Sequence, residues 1–227
     1  MKKGYFSRTE RILWIVSASL IIATHFLFKS DTYLSLIASL IGSASLIFNA
    51  KGNPLGQFLM LIFSVLYGII SYTFSYYGEM LTYLGMTAPM ALFALISWLK
   101  HPYKGNRAVV EVNAFRKREW AFLSVLSLAV TLIFYFPLAY FNTANLIPST
   151  LSVTTSFAAV YLTFRRSAYF ALAYAVNDMV LILLWILAAL TDASNAPVVV
   201  CFVIFLINDL YGFVNWRRME NQQRKGS

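Results

Sequence analysis

Two Asn-Asp pairs stand inside long apolar runs near the carboxyl end of this chain: Asn177-Asp178 in ALAYAVNDMVLILLW and Asn208-Asp209 in VIFLINDLYGFVNW. An amide beside a carboxyl supplies donors and acceptors together, the chemistry that satisfies sugar hydroxyls in pairs. A carboxylate also attracts a cation. Residues separated by three, four or seven positions share one face of a helix. Asp178 therefore stands with Tyr174 and Trp185, and Asp209 with Phe205, Gly212 and Trp216, whereas Asn208 falls with Tyr211 and Asn215. A further polar stripe, Gln57, Ser64 and Ser71, recurs every seventh residue beside Tyr67. The candidate binding set is Gln57, Tyr67, Tyr174, Asn177, Asp178, Trp185, Asn208, Asp209 and Tyr211. Amides, carboxyls and aromatic rings of this kind suit a small ligand with a flat ring and several hydroxyls, because rings stack on aromatic faces. Ribosides fit, and a positively charged ring gains further from the carboxylates and from cation–π attraction. The same residues have a plainer use, as hydrogen bonds between helices or across an oligomer interface, with Tyr211 and Trp185 as packing.

Such residues need a scaffold that carries a carboxyl to the middle of a membrane. The chain has 59% hydrophobic and 12% charged residues, and a mean hydropathy of +0.67. A soluble domain has roughly a quarter of its residues charged. Runs near the 20 or so residues that cross a bilayer as a helix recur throughout. The expected fold class is an all-α polytopic membrane protein with eight spans: Ile12 to Phe28, Tyr33 to Phe48, Leu55 to Phe74, Thr82 to Leu99, Trp120 to Tyr140, Pro148 to Phe164, Ala168 to Leu190 and Ala196 to Trp216. The alternation of a membrane β-barrel is missing. The stretch around Thr24-His25-Phe26 offers no small-residue cleavage site, so the first span reads as retained. An ionised Asp at mid-membrane costs about 3 kcal/mol, so each pair is expected to face the bundle interior, a watery cavity or a partner group.

Charge placement gives orientation. All but one of the 18 Lys and Arg residues fall at one set of alternating span ends, Lys29 being the exception. By the positive-inside rule both termini are expected in the cytoplasm. The basic segment from Lys100 to Arg118 then reads as an anchor against anionic lipid rather than a nucleic-acid site.

The halves of the chain look related. A shift of 118 residues lays Trp98 on Trp216 and Lys100 on Arg218, and serine and threonine crowd both the second and the sixth span. The reading is an N-terminal tail and extra helix (1–32), a three-helix unit (33–100), a basic loop and linker helix (101–147), a second three-helix unit (148–216) and a tail (217–227). Parallel three-helix units joined by one reversing helix recur among transporters, with substrate at the repeat interface near mid-membrane.

At these residues the chain resembles the Pnu-type bacterial vitamin transporters, on the side of the nicotinamide riboside carriers. The likeness runs from about Leu34 to Trp216 through GNPLGQ, SYYGEMLTYLG and the closing NDLYGFVNW. It implies a three-plus-one-plus-three core akin to a SWEET transporter, a homotrimer in the bacterial inner membrane, and uptake of nicotinamide riboside by facilitated diffusion with trapping by a cytoplasmic kinase. In that family the seventh span carries two tryptophans a turn apart before a polar residue. Asp178 stands here for the polar residue and Tyr174 for the nearer tryptophan, while the farther position is Ala171, so stacking would fall to Tyr169, Trp185 or another ring. Related members carry thiamine, riboflavin or deoxynucleosides, and the vitamin stays open among these.

Other functions fit less well. Two intramembrane aspartates could share a proton as in an aspartyl protease, yet the Tyr-Asp and Gly-x-Gly-Asp patterns are missing around Asp178 and Asp209. His25 and His101 make neither a metal pair nor a catalytic base, and Cys201 is alone, so no cofactor or metal is expected. A proton-coupled carrier is left standing beside a passive one.

Overall fold

The computed structural model describes residues 5–27, 33–73, 77–143, 145–191 and 196–226. Phe28, Phe74, Lys2, Lys3, Lys29 and the Ser75-Tyr76 start of the SYYGEMLTYLG connector lie outside them. The described chain is nearly all helix: α1 (Arg8–Leu27), α2 (Tyr33–Ala50), α3 (Leu55–Thr73), α4 (Tyr77–Thr82), a π-helical turn (Tyr83–Thr87), α5 (Ala88–Lys100), α6 (Lys117–Tyr140), α7 (Leu146–Phe164), α8 (Phe170–Thr191) and α9 (Ala196–Lys225). Eight helical segments, with α4, the π turn and α5 counted as one, are long and apolar enough to cross a bilayer. Two departures from the sequence reading stand out. The last helix runs on past Trp216 to Lys225, and the basic segment after α5 folds into a two-stranded hairpin, β1 (Pro102–Tyr103) and β2 (Asn106–Val110).

The helix ends follow local chemistry. Ser7 and Glu10 form a reciprocal box at the start of α1, the Ser7 amide donating to Glu10 Oε2 at 2.7 Å and the Glu10 amide to Ser7 Oγ at 3.2 Å. The π turn precedes Pro89, which cannot donate to the carbonyl one turn back, and the Ala88 amide reaches to the Tyr83 carbonyl instead. Opposite this turn Gly68 lets α3 approach: a Cβ there would sit 2.5 Å from Leu84 Cγ.

α1 starts and α9 ends on one face of the bundle, the tail face. Near it, Trp98, Phe170 and Trp216 are less than 2% exposed and form a plug, the two indoles 5.3 Å apart and Phe170 4.7 Å from Trp216. Both indoles donate hydrogen bonds, Trp98 to the Thr163 carbonyl at 2.9 Å and Trp216 to the Asn49 carbonyl at 2.7 Å. The residues before them do likewise, Ser97 to the Phe164 carbonyl at 3.0 Å and Asn215 to the Ala50 carbonyl at 2.6 Å. The end of α5 is thus fastened to the end of α7, and α9 to the end of α2, in the same way. The packing matches as well: α2 on α3 and α7 on α8, α3 on α5 and α8 on α9, α5 on α7 and α9 on α2.

The hairpin crosses this face. The Val110 amide donates to the Gly52 carbonyl at 2.9 Å and the Asn113 amide to the Arg166 carbonyl at 3.0 Å. Gly52 and Arg166 both have left-handed backbones, φ 65° and 58°. Gln223, in the extension of α9, donates to the Val110 carbonyl at 3.0 Å and accepts from the Val112 amide at 2.8 Å. Two helices stand outside the core. α6 packs on α7, with Thr131 and Thr154 hydroxyls 2.7 Å apart, and α1 packs on α2 and α9.

Candidate functional site

A cavity of about 540 Å³ opens among the helices on the other side of the plug. Gly78, Asn142, Thr143, Asn145 and Thr191 line its mouth, at the ends of helices on the face opposite the tails. Tyr174, Asp178 and Asp209 line it deeper in, and Phe63, Tyr83, Trp185, Phe202 and Phe205 supply rings. Phe170, in the plug, touches Tyr174 at 6.2 Å, so the cavity floor rests on the sealed end.

Five residues of the candidate set line this space: Tyr174, Asn177, Asp178, Trp185 and Asp209. α8 presents most of them because two of its faces meet cavity and neighbours together. Asn177 is fixed by its oxygen, which accepts from Thr155 at 2.7 Å and Ser156 at 3.0 Å on α7. The Tyr174 hydroxyl is held by the Thr163 side chain. Asp178 and Asp209 are 3% and 5% exposed and neighbour each other between α8 and α9. Asp178 Oδ2 is buried with no protein partner among the described residues.

The other four candidates sit elsewhere. Gln57 donates from Nε2 to Asn49 Oδ1 on α2 at 2.8 Å, and Ser64 donates to the Met60 carbonyl within α3, so neither is turned to the cavity. Tyr67 stacks in the wall behind the cavity, 4.6 Å from Tyr83 and 5.5 Å from Phe63. Asn208 and Tyr211 meet α1: the Asn208 amide donates to Ser17 Oγ at 3.0 Å, and the Tyr211 hydroxyl to Glu10 Oε1 at 3.2 Å. Neighbouring helix positions point about 100° apart, so Asp209 faces the cavity and Asn208 the extra helix. The face assignment made from spacing already separated them.

Several lining residues were not singled out in the sequence. Glu79 and Tyr83 belong to a connector whose helical register the π turn alters, which defeats a count at fixed spacing. Ser149, Ser152 and Ser156 were noticed only as small residues that let helices approach, although all three line the cavity. Asn142 and Asn145 adopt left-handed backbone at the turn before α7, and an Asn-rich turn is a signal of loop geometry rather than of a mouth. Glu10, only 3% exposed, pairs with Lys51 at 3.1 Å, and its Ser-x-x-Glu box was legible in SRTE.

An eight-span helical bundle with a ring-lined cavity that carries carboxyls deep among the helices, and a plug of buried rings toward the opposite end, is the architecture of a membrane transporter. The chain belongs to the family described as nicotinamide mononucleotide transporter, whose model matches residues 32–218. Among curated proteins it is 28% identical over 212 residues to the nicotinamide riboside transporter PnuC of Neisseria mucosa, covering 91% of this chain and 80% of that one. It is 23% identical to the protein of the same name from Haemophilus influenzae, over 83% of this chain and 81% of that one. Its fold is similar to the crystal structure of the Vitamin B3 transporter PnuC, with a TM-score of 0.84 and 24% identity over 97% of this chain and 95% of that one. The relatives are named as transporters and not as enzymes, as the sequence reading expected.

Proposed function

We propose that this chain takes up nicotinamide riboside by facilitated diffusion, alternating access between the two faces of the bundle, and that phosphorylation in the cytoplasm traps the product. The observation that carries the substrate is the cavity lining. It has rings to stack a pyridine, amides, hydroxyls and carboxyls to pair with ribose, and no Lys, Arg or His among the described residues. The family description speaks of the mononucleotide and the curated relatives of the riboside. A phosphate at that depth would need a cation or a cluster of amide donors, so the lining supports the riboside.

The quasi-equivalent contacts at the tail face support the duplicated plan, with α2 to α5 and α7 to α9 as parallel units, α6 as the linker and α1 outside. Ser97-Trp98 and Asn215-Trp216 are 118 residues apart, and their acceptors Thr163-Phe164 and Asn49-Ala50 differ by 114, a small shift between the units. With the basic tail face toward the cytoplasm, the state described faces outward in the inner membrane of a bacterium. The homotrimer implied by the family stays part of the proposal, and mass measurement in detergent tests it.

Calorimetric titration of the purified chain against nicotinamide riboside, its 5′-phosphate, thiamine, riboflavin and deoxycytidine tests the substrate. The riboside is expected to bind at least about 100-fold more tightly than the phosphate, a gap of roughly 2.7 kcal/mol. Tight binding of thiamine, riboflavin or deoxycytidine alone overturns the substrate and moves the protein to another branch of the family. The neighbouring buried carboxyls of Asp178 and Asp209, both on the cavity, favour one second reading, a carrier coupled to protons. Uptake into proteoliposomes that depends strongly on an imposed pH gradient would establish that reading over the passive one.

A further inference from the structure

Glu79 lies in α4 and lines the cavity. The glutamates that pack against other elements at the tail face carry basic partners: Glu10 has Lys51, Glu119 has Arg165, and Glu220 has Arg217 and Arg224. No ion pair engages Glu79 among the described residues, and no Lys, Arg or His lines the space it faces. Its setting is built closely. Gly78 seats α4 against the turn after α6, where a Cβ would lie 2.9 Å from Thr143 Oγ1, and that hydroxyl is buried with no protein partner among the described residues. Tyr83, one turn along, stands with Phe63 at 5.9 Å in the cavity wall. Deeper, Asp178 and Asp209 line the same cavity and bring two more carboxyls to it.

An acceptor-rich, cation-free path with rings along it favours one charge type. Carboxylates attract a positive ligand through a low-dielectric wall, and aromatic faces take over part of the solvation of an organic cation once water is left behind. We infer that Glu79 is the specificity-determining carboxylate of this cavity, selecting flat-ring ribosides that carry a fixed positive charge over uncharged ones of the same shape. The inference rests on the riboside reading proposed above and adds a residue and a charge rule to it. Glu79 holds the cation near the mouth, and the aspartate pair holds it at the floor.

The test compares nicotinamide riboside with its 1,4-dihydro form, which keeps the same heavy atoms and loses the ring charge. Both are titrated calorimetrically into the intact wild-type protein and into Glu79→Gln. Wild type is expected to prefer the charged riboside by at least about tenfold. Glu79→Gln should cut that preference to about threefold or less, through weaker binding of the charged form only. Equal affinity of wild type for the two forms overturns the inference without any variant, so a misfolded Glu79→Gln does not shelter it. A variant that folds and keeps the wild-type ratio overturns it too. If neither riboside binds, the substrate reading has failed, and the charge rule is then read on thiamine, a cation, against riboflavin, which is uncharged. Thiamine binding that weakens about tenfold in Glu79→Gln sustains the rule. Thiamine binding indifferent to Glu79, binding of riboflavin, or no binding of either ends it.

Discussion

The two ends of the bundle treat polar groups in opposite ways. At the tail face the polar groups around the plug are joined to carbonyls and amides of the other half or of the hairpin segment. Trp98, Trp216, Ser97, Asn215 and Gln223 all make such bonds around a plug with less than 2% exposure at its three large rings. Toward the opposite face, Glu79, Asp178 and Asp209 have no ion pair among the described residues and border a cavity of about 540 Å³. Buried polar groups are ordinarily satisfied, so the first end is built for stability and the second for a guest. On the reading proposed above, transport requires the first end to give up its bonds while the second closes. The bonds at the tail face are individually modest, about 1 kcal/mol each, a strength that a ligand-driven change of state can exceed.

The largest effect should come from the plug. Removing a buried tryptophan costs about 3–5 kcal/mol. Trp98→Ala and Trp216→Ala are expected to lower the thermal midpoint in detergent by similar amounts, because each loses the same kind of indole-to-carbonyl bond. The rings touch at 5.3 Å, so the double variant should cost less than the sum. A single tryptophan that accounts for nearly all the loss would break the equivalence of the two halves. Trp216→Phe, which keeps a ring and drops the donor, sharpens the comparison and should cost about 1 kcal/mol through the orphaned Asn49 carbonyl.

The two Asn-Asp pairs set cavity against packing within one helix turn. Asp178→Asn is expected to weaken riboside binding by about 10- to 100-fold, the range of a charge-assisted contact, with little change in midpoint. Asn208→Ala should do the reverse, costing about 1–2 kcal/mol of stability through the lost bonds to Ser17 and the Ile204 carbonyl while affinity holds. Titration and thermal melting on the same two preparations make the check. A loss of affinity in Asn208→Ala without a loss of stability would place α1 in ligand recognition.

These contrasts show which parts of the molecule were readable in sequence. The eight spans and their alternation were legible because the bilayer fixes length and hydropathy so strongly. Helical spacing likewise separated Asp209 from Asn208. Spacing gives the face of a helix and not what that face meets, and Gln57 met Asn49 where a ligand was equally consistent. Glu79 was hidden because a short helix and a π turn interrupt the count before α5. The hairpin over the tail face was invisible for a different reason. Its strands are two and five residues long, and the segment is held by backbone bonds from Val110 to the turn at Gly52 and from Asn113, just past β2, to the turn at Arg166 rather than by any apolar pattern of its own.

Those two turns give the smallest effect and the finest test of the comparison between halves. Gly52 accepts a bond from Val110 of the hairpin and Arg166 one from Asn113 just after it, yet one is glycine at φ 65° and the other arginine at φ 58°. A left-handed backbone costs a residue with a Cβ about 1–2 kcal/mol and glycine almost nothing. At Gly52 a Cβ would also meet Met219 Cε at 2.9 Å, so Gly52→Ala should destabilise on both counts. The Arg166 side chain returns little for its backbone cost: burial pushes its guanidinium below the usual value, Glu111 opposes that shift, and its Nε and one terminal nitrogen find no partner among the described residues. Arg166→Gly is therefore expected to raise the midpoint slightly, by up to about 1 kcal/mol after its Glu111 interaction is lost. A fall of that size instead would mean that the arginine holds the α7–α8 turn through its charge, and that the two halves are fastened at this end by different physics.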